Sequence, residues 1–179
     1  MRNVFIAAIV LAASPAFAEI DADLGELNPE EMTIKKEIER AARGEVGMMT
    51  CATGYMITKK GDHEDARTVF NACADAGYTG AMTWMSQLDN NGLGGEYDPD
   101  AAAEWDRRAA EAGDPVGQFN YGIDLMRGHG VAQDLDRGKA LVDQAASAGL
   151  DIAKRLQGAE YDLDEVTPDA DNWKYAPVF

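Results

Sequence analysis

The chain has 179 residues, with 16 lysines and arginines against 32 aspartates and glutamates, a net charge of −16, two cysteines and two histidines. That length suits one domain. So acidic a surface repels phosphate backbones and anionic lipid heads, which sets nucleic acid aside and leaves a basic patch on another protein, or plain solubility, as what the acid serves.

Residues 1–18 read as a secretory signal peptide: Arg2 gives a charged start, FIAAIVLAA (5–13) an apolar centre, and Pro15-Ala16-Phe17-Ala18 a small-residue cleavage site before Glu19. The apolar run is too short to span a bilayer comfortably. Residues 19–32 (EIDADLGELNPEEM) are acidic and poorly periodic, and are expected to form a flexible leader or to order only against a partner. TIKKEIERAARG (33–44) predicts a lone helix that caps the front of the helices after it.

Three modules come next. Gly77, Gly113 and Gly149 stand 36 residues apart, each preceded by alanine (Ala76, Ala112, Ala148), four residues back by a small side chain (Cys73, Ala109, Ala145), and fifteen back by aspartate (Asp62, Asp98, Asp134). A fixed period of this size is the mark of a stacked repeat architecture. Aspartate accepts the orphan amides of a first helical turn, Pro99 fits the first helical position, and glycine closes the last turn in the left-handed region. The module therefore predicts a second helix of each hairpin over 63–76, 99–112 and 135–148. A first helix precedes it over 46–59, 80–90 and 116–127, joined by the glycine-rich connections KKGD, NGLGGEYD and GHGVAQD. A hairpin cannot bury its apolar face alone, so repeats 45–77, 78–113 and 114–149 are expected to stack into an all-α solenoid. A short helix at 151–158 closes the solenoid, which spans 33–158. The extension 159–179 turns from acid to aromatics, with Pro168 and Pro177 against a continuous helix. Trp173, Tyr175 and Phe179 are candidate anchors, either on a partner or folded back on the solenoid.

On these residues the chain resembles the Sel-one-like repeat family, relatives of the tetratricopeptide repeat. Repeat three keeps Asn120, Gly122, Gly128, Gly130, Val131, Asp134, Ala146 and Gly149 of the family pattern. Repeat two keeps Ala81, Gly92, Gly94, Asp98, Ala102, Trp105, Ala109, Ala110 and Gly113, and departs at Ser86, where the family has glycine. Repeat one has a shortened connection and diverges most. The resemblance implies a right-handed α-superhelix that binds proteins and carries no chemistry, with first helices on the concave face. By position, Phe119, Ile123 and Met126, together with Thr83, Gln87 and Asn90, would face inward. Packing against a neighbouring helix is the competing reading for Phe119 and Ile123.

Cys51 falls on the first helix of repeat one and Cys73 on the second. The hairpin turns near residue 61, so the two stand at similar heights on antiparallel helices, and a disulfide is expected, with two buried thiols as the alternative. Redox catalysis has no Cys-x-x-Cys and no adjacent histidine to support it. His63 and His129 sit in separate loops and make no metal site. DNNGLG (89–94) begins like a calcium loop but has Leu93 at the fifth position and Asp100 at the twelfth, where oxygen ligands and a glutamate are needed. No serine-hydrolase, zincin or phosphate-loop motif appears, so no catalytic, cofactor or metal residues are assigned.

The expected function is a non-enzymatic exported scaffold that engages a protein partner. In a Gram-negative cell it would be periplasmic, and what the family tends to do points to an accessory subunit on the periplasmic face of an inner-membrane complex, respiratory or envelope. Two alternatives are a cell-wall enzyme of the penicillin-binding or lactam-hydrolysing type and a peptide-binding signalling module.

Overall fold

The computed structural model describes residues 33–166. The expected signal peptide, the acidic leader and the aromatics Trp173, Tyr175 and Phe179 lie outside the described residues. Within them the chain forms eight α-helices: α1 (Ile34–Ala42), α2 (Met48–Lys60), α3 (His63–Asp75), α4 (Thr79–Asn90), α5 (Pro99–Glu111), α6 (Pro115–Arg127), α7 (Leu135–Ser147) and α8 (Asp151–Gly158), then a 3-10 turn at Leu163–Glu165. No strand occurs among the described residues. Each helix packs on the next in chain order, so the hairpins α2–α3, α4–α5 and α6–α7 stack as a solenoid with α1 in front and α8 behind.

The repeated glycines work by one geometry. Gly77, Gly113 and Gly149 have φ of 92°, 84° and 102°. Each donates its amide to the carbonyl three residues back (Ala74, Ala110, Ala146), and the next residue donates to Cys73, Ala109 or Ala145. Two orphan carbonyls are satisfied and the chain is reversed into the next hairpin. The small pair four and three residues before each glycine (Cys73 and Ala74, Ala109 and Ala110, Ala145 and Ala146) is buried. Its size matters between α5 and α6, where a Cβ on Gly117 would stand 2.4 Å from that of Ala109.

The helix starts follow the aspartates with one exception. Asp98 accepts from the Ala101 amide and Asp134 from the Arg137 amide, both at 3.0 Å. Asp62 occupies the N-cap position of α3 but makes no capping hydrogen bond. Its carboxylate pairs with Lys60 at 3.1 Å instead, because the short connection of repeat one brings that lysine close. Asp114, not foreseen as a cap, receives the amides of Val116 and Gly117 and the Thr79 hydroxyl, tying the start of α4 to the start of α6.

The loops between paired helices seat on the preceding hairpin. A Cβ on Gly130 (φ 65°) would fall 1.9 Å from the Pro99 carbonyl oxygen, and one on Gly94 (φ 65°) would fall 2.5 Å from the His63 carbonyl carbon. Glycine is thus required twice over, for its φ and for the contact. Asp89, at the head of the calcium-like stretch, pairs with Arg67 at 2.6 Å, and the same arginine donates to the Leu93 carbonyl at 2.7 Å.

The apolar core has two main parts. One joins α1 to α4 around Ile57, Val69, Phe70, Met85 and Leu88. The other joins α6 to α8 around Phe119, Ile123, Val142, Leu156 and Val166. Val166 is fully buried and its carbonyl accepts from Arg127, so the extension begins by folding back on the solenoid.

Candidate functional site

The first helices of the hairpins share one face, and on that face α2 and α4 leave a groove of about 320 Å³. Its floor is Phe70 from α3 and the disulfide that joins Cys51 to Cys73 across the first hairpin. Its walls are Tyr55, Tyr78 and Trp84. The Trp84 ring lies parallel to Phe70 with centroids 5.7 Å apart, and Tyr55 meets Trp84 edge-on at 5.5 Å. Lys59 stands over the outer face of Tyr55, its nitrogen 5.2 Å from the ring centre. Gly54 makes the floor possible: a Cβ there would stand 2.6 Å from the Phe70 ring. The groove is apolar, aromatic and open to solvent, the chemistry that receives a side chain from another protein segment. Its disulfide staples the two helices that form wall and floor.

A second constellation is closed to solvent. Ser86 on α4 donates to Asp106 on α5, and Asn120 on α6 donates to the other oxygen of Asp106 at 3.2 Å. Asp124 lies one turn further along α6, with its Oδ2 buried and without a hydrogen-bond partner. Burial pushes the Asp106 carboxyl well above the usual aspartate range, and the neighbouring Asp124 adds to the rise. Burial also raises Asp124 to about 7, against the pull of Arg127. Asp106 stands 36 residues after Phe70 and 36 before Val142. In repeats one and three, glycine (Gly54, Gly122) faces those apolar side chains; in repeat two, Ser86 faces the acid. The family departure at Ser86 and the buried acid are one feature.

The residues expected to face a partner divide. Phe119, Ile123 and Met126 are each only 2% exposed and belong to the core between α6, α7 and α8. They are packing residues rather than contact residues, since the side of α6 that carries them is the one covered by α7 and α8. Thr83, Gln87 and Asn90 are half-buried on α4. Asn90 is 2.9 Å from the His129 ring, a tie between repeats two and three. Tyr55, Tyr78 and Trp84 were not foreseen. For Tyr55 a signal was present in α2, whose apolar residues run around the helix instead of along one stripe. Among the described residues no cluster of three or more His, Cys, Asp or Glu could hold a metal ion, and no helix is long and apolar enough to cross a membrane.

No family model and no curated protein matches the chain. Solved structures do. A Sel1 repeat protein from Oxalobacter formigenes is 26% identical with a TM-score of 0.56, the match covering 70% of this chain and 97% of that one. The Escherichia coli protein c5321, a protective antigen of uropathogenic strains with an SLR fold, is 20% identical with a TM-score of 0.50; the match covers 73% of this chain and 35% of that one, so this chain spans about a third of its length. With its two-helix modules stacked in chain order, the chain has the solenoid fold of these Sel1 repeat structures.

Proposed function

We propose that the chain is a non-enzymatic exported scaffold that engages a protein partner through the α2–α4 groove. The fold is compatible with a protein-interaction scaffold. The observation that carries the reading is the open aromatic groove, with Tyr55 and Tyr78 on its rim and a disulfide holding its shape. In a Gram-negative cell the disulfide and the expected signal peptide fit the periplasm, where such bonds persist. An accessory subunit on the periplasmic face of an inner-membrane assembly is the finer form of the proposal. It is tested by co-purification from detergent-solubilised membranes, comparing the native chain with Tyr55→Ser/Tyr78→Ser. The native chain should co-elute with a membrane complex and the variant should elute alone with unchanged helicity. A native chain that always elutes alone, or a variant that co-elutes as well, overturns the reading.

A further inference from the structure

The lining of the α2–α4 groove holds no acid, in a chain with 32 aspartates and glutamates. α2 itself contains no acid and ends on Lys59 and Lys60. Residues 33–60 hold six bases against three acids, while the whole chain carries −16. Lys60 pairs with Asp62 at 3.1 Å. Lys59 pairs with no carboxylate among the described residues; its nitrogen rests 5.2 Å from the Tyr55 ring centre. Glu64 and Asp65, which open α3, line a separate depression with Gly61 and Gly94 and stand outside the groove lining. Apolar surface collects at the same place. Of the eight large apolar side chains exposed among the described residues, Met48, Met49, Tyr55 and Met56 lie on α2 and Tyr78 stands at the start of α4. Such a surface gains from being covered.

Net charge alone would select a basic partner. The groove selects the opposite. A lysine or arginine entering it would need an open aromatic face. The outer face of Tyr55 is under Lys59, and Trp84 stacks one face on Phe70. Lys59 would repel such a guest as well. A carboxylate meets the reverse: no acid in the lining to oppose it, and an ammonium group with no counter-ion beside it.

We propose that the segment of the partner that enters the α2–α4 groove is acidic. An aliphatic or aromatic side chain seats between Tyr55, Tyr78 and Trp84, and an aspartate or glutamate close to it in sequence pairs with Lys59. The spans fit. The Tyr55 ring touches both places, 5.5 Å from Trp84 and 5.2 Å from the Lys59 nitrogen. At about 3.3 Å of extended chain per residue, a carboxylate two or three residues from the anchor reaches the lysine. The ion pair steers and orients, and the buried anchor supplies most of the affinity. The inference rests on the groove being the docking site and adds the charge of what docks there.

Two short synthetic peptides test it, alike in leucine and phenylalanine, one bearing glutamates and the other lysines at the same positions. Their binding to the full chain is followed by the fluorescence anisotropy of a label on the peptide. At low salt the glutamate peptide should bind about five-fold tighter, the worth of one or two exposed ion pairs, against the pull of the net charge. The gap should narrow at high salt. Lys59→Glu/Lys60→Glu should reverse the order with helicity unchanged, and Lys59→Arg should keep it. Tyr55→Ser/Tyr78→Ser should weaken both peptides together. Equal binding or a tighter lysine peptide, still sensitive to the tyrosines, overturns the inference and leaves the groove reading standing. Binding insensitive to the tyrosines, or no binding of either peptide, also overturns the inference; co-elution with a membrane complex that the tyrosine variant loses would still uphold the groove. A zero-length carbodiimide crosslink reports the occupant directly. Lys59 should join a glutamate of the peptide. A crosslink from Lys59 to its own chain or to a second copy that the peptide does not displace overturns the inference in favour of that occupant.

Discussion

Asp106 and Asp124 are carboxyls in places where the neighbouring repeats carry Phe70, Val142 and Leu88. At Asp124 burial outweighs the pull of Arg127 and keeps the acid neutral, and that choice has a sign. An ordinary aspartate ionises near about 4. Between that pH and about 7 the folded chain keeps a proton on Asp124 that the unfolded chain gives up. Stability contributed by the neutral acid is therefore full at and below about pH 4, falls as pH rises through that window, and levels off above about 7. For Asp124 the loss across that window is on the order of 1 kcal/mol per pH unit. Asp106, raised in the same direction, adds to the slope. Urea unfolding should give a midpoint at pH 5 well above that at pH 8. Asp124→Asn and Asp106→Asn should each raise the pH 8 midpoint and bring the two closer together, since an amide fills the site and cannot ionise. A midpoint that rises from pH 5 to pH 8 would show that these carboxyls are ionised in the fold. The sequence held half of this feature. Ser86 stood out against the glycine pattern, but pairing it with Asp106 requires knowing which side of α5 meets α4, and spacing alone does not give that.

At the scale of the element, the most legible features were those set by a backbone need. The closing glycines and the Asp98 and Asp134 caps satisfy orphan carbonyls and amides that every helix has, so they recur at one spacing. The facing of side chains was less legible. Phe119, Ile123 and Met126 lie on a helix apolar on several sides, where 3.6-residue periodicity does not tell the buried side from the open one. Two glycines separate these kinds of information. Gly113 needs only its φ, since a Cβ there meets nothing within 4 Å. Gly130 needs φ and room as well, because its loop rests on the start of α5. Gly113→Ala should cost about 1 kcal/mol for the left-handed backbone. Gly130→Ala should cost clearly more, about 2–4 kcal/mol, because the loop must lift off Pro99 and disturb the His129–Asn90 tie. Thermal unfolding of the two variants side by side checks the ranking; equal losses would mean that the loop does not bear on α5.

Over the whole molecule, the two main core parts are joined through α5, whose buried residues are Ala102, Ala103, Ala109, Ala110 and the acid Asp106. Small side chains give close approach but little apolar area, and a neutral acid adds hydrogen bonds without much burial. A solenoid couples each repeat only to its neighbours, so a joint of this kind lets the two ends respond separately. The disulfide offers a way to load one end alone. Its 22-residue separation should add about 3 kcal/mol through the entropy it removes from the unfolded chain. Cys51 is partly exposed in the groove, the side from which a small reductant would approach the bond, while Cys73 is fully buried. After reduction, amide exchange measured by mass spectrometry should speed up in α2 and α3 by roughly a hundred-fold, the rate equivalent of that energy. Exchange in α6, α7 and α8 should stay as it was, because their core around Phe119, Val142 and Leu156 shares no residue with the first. An equal acceleration at both ends would mean that the solenoid opens as one unit and that α5 transmits stability as firmly as the apolar cores do. If acceleration stops at α4, the front of the chain, groove included, can loosen or be remade while the rear remains folded, which would place control of partner docking in the redox state of one bond.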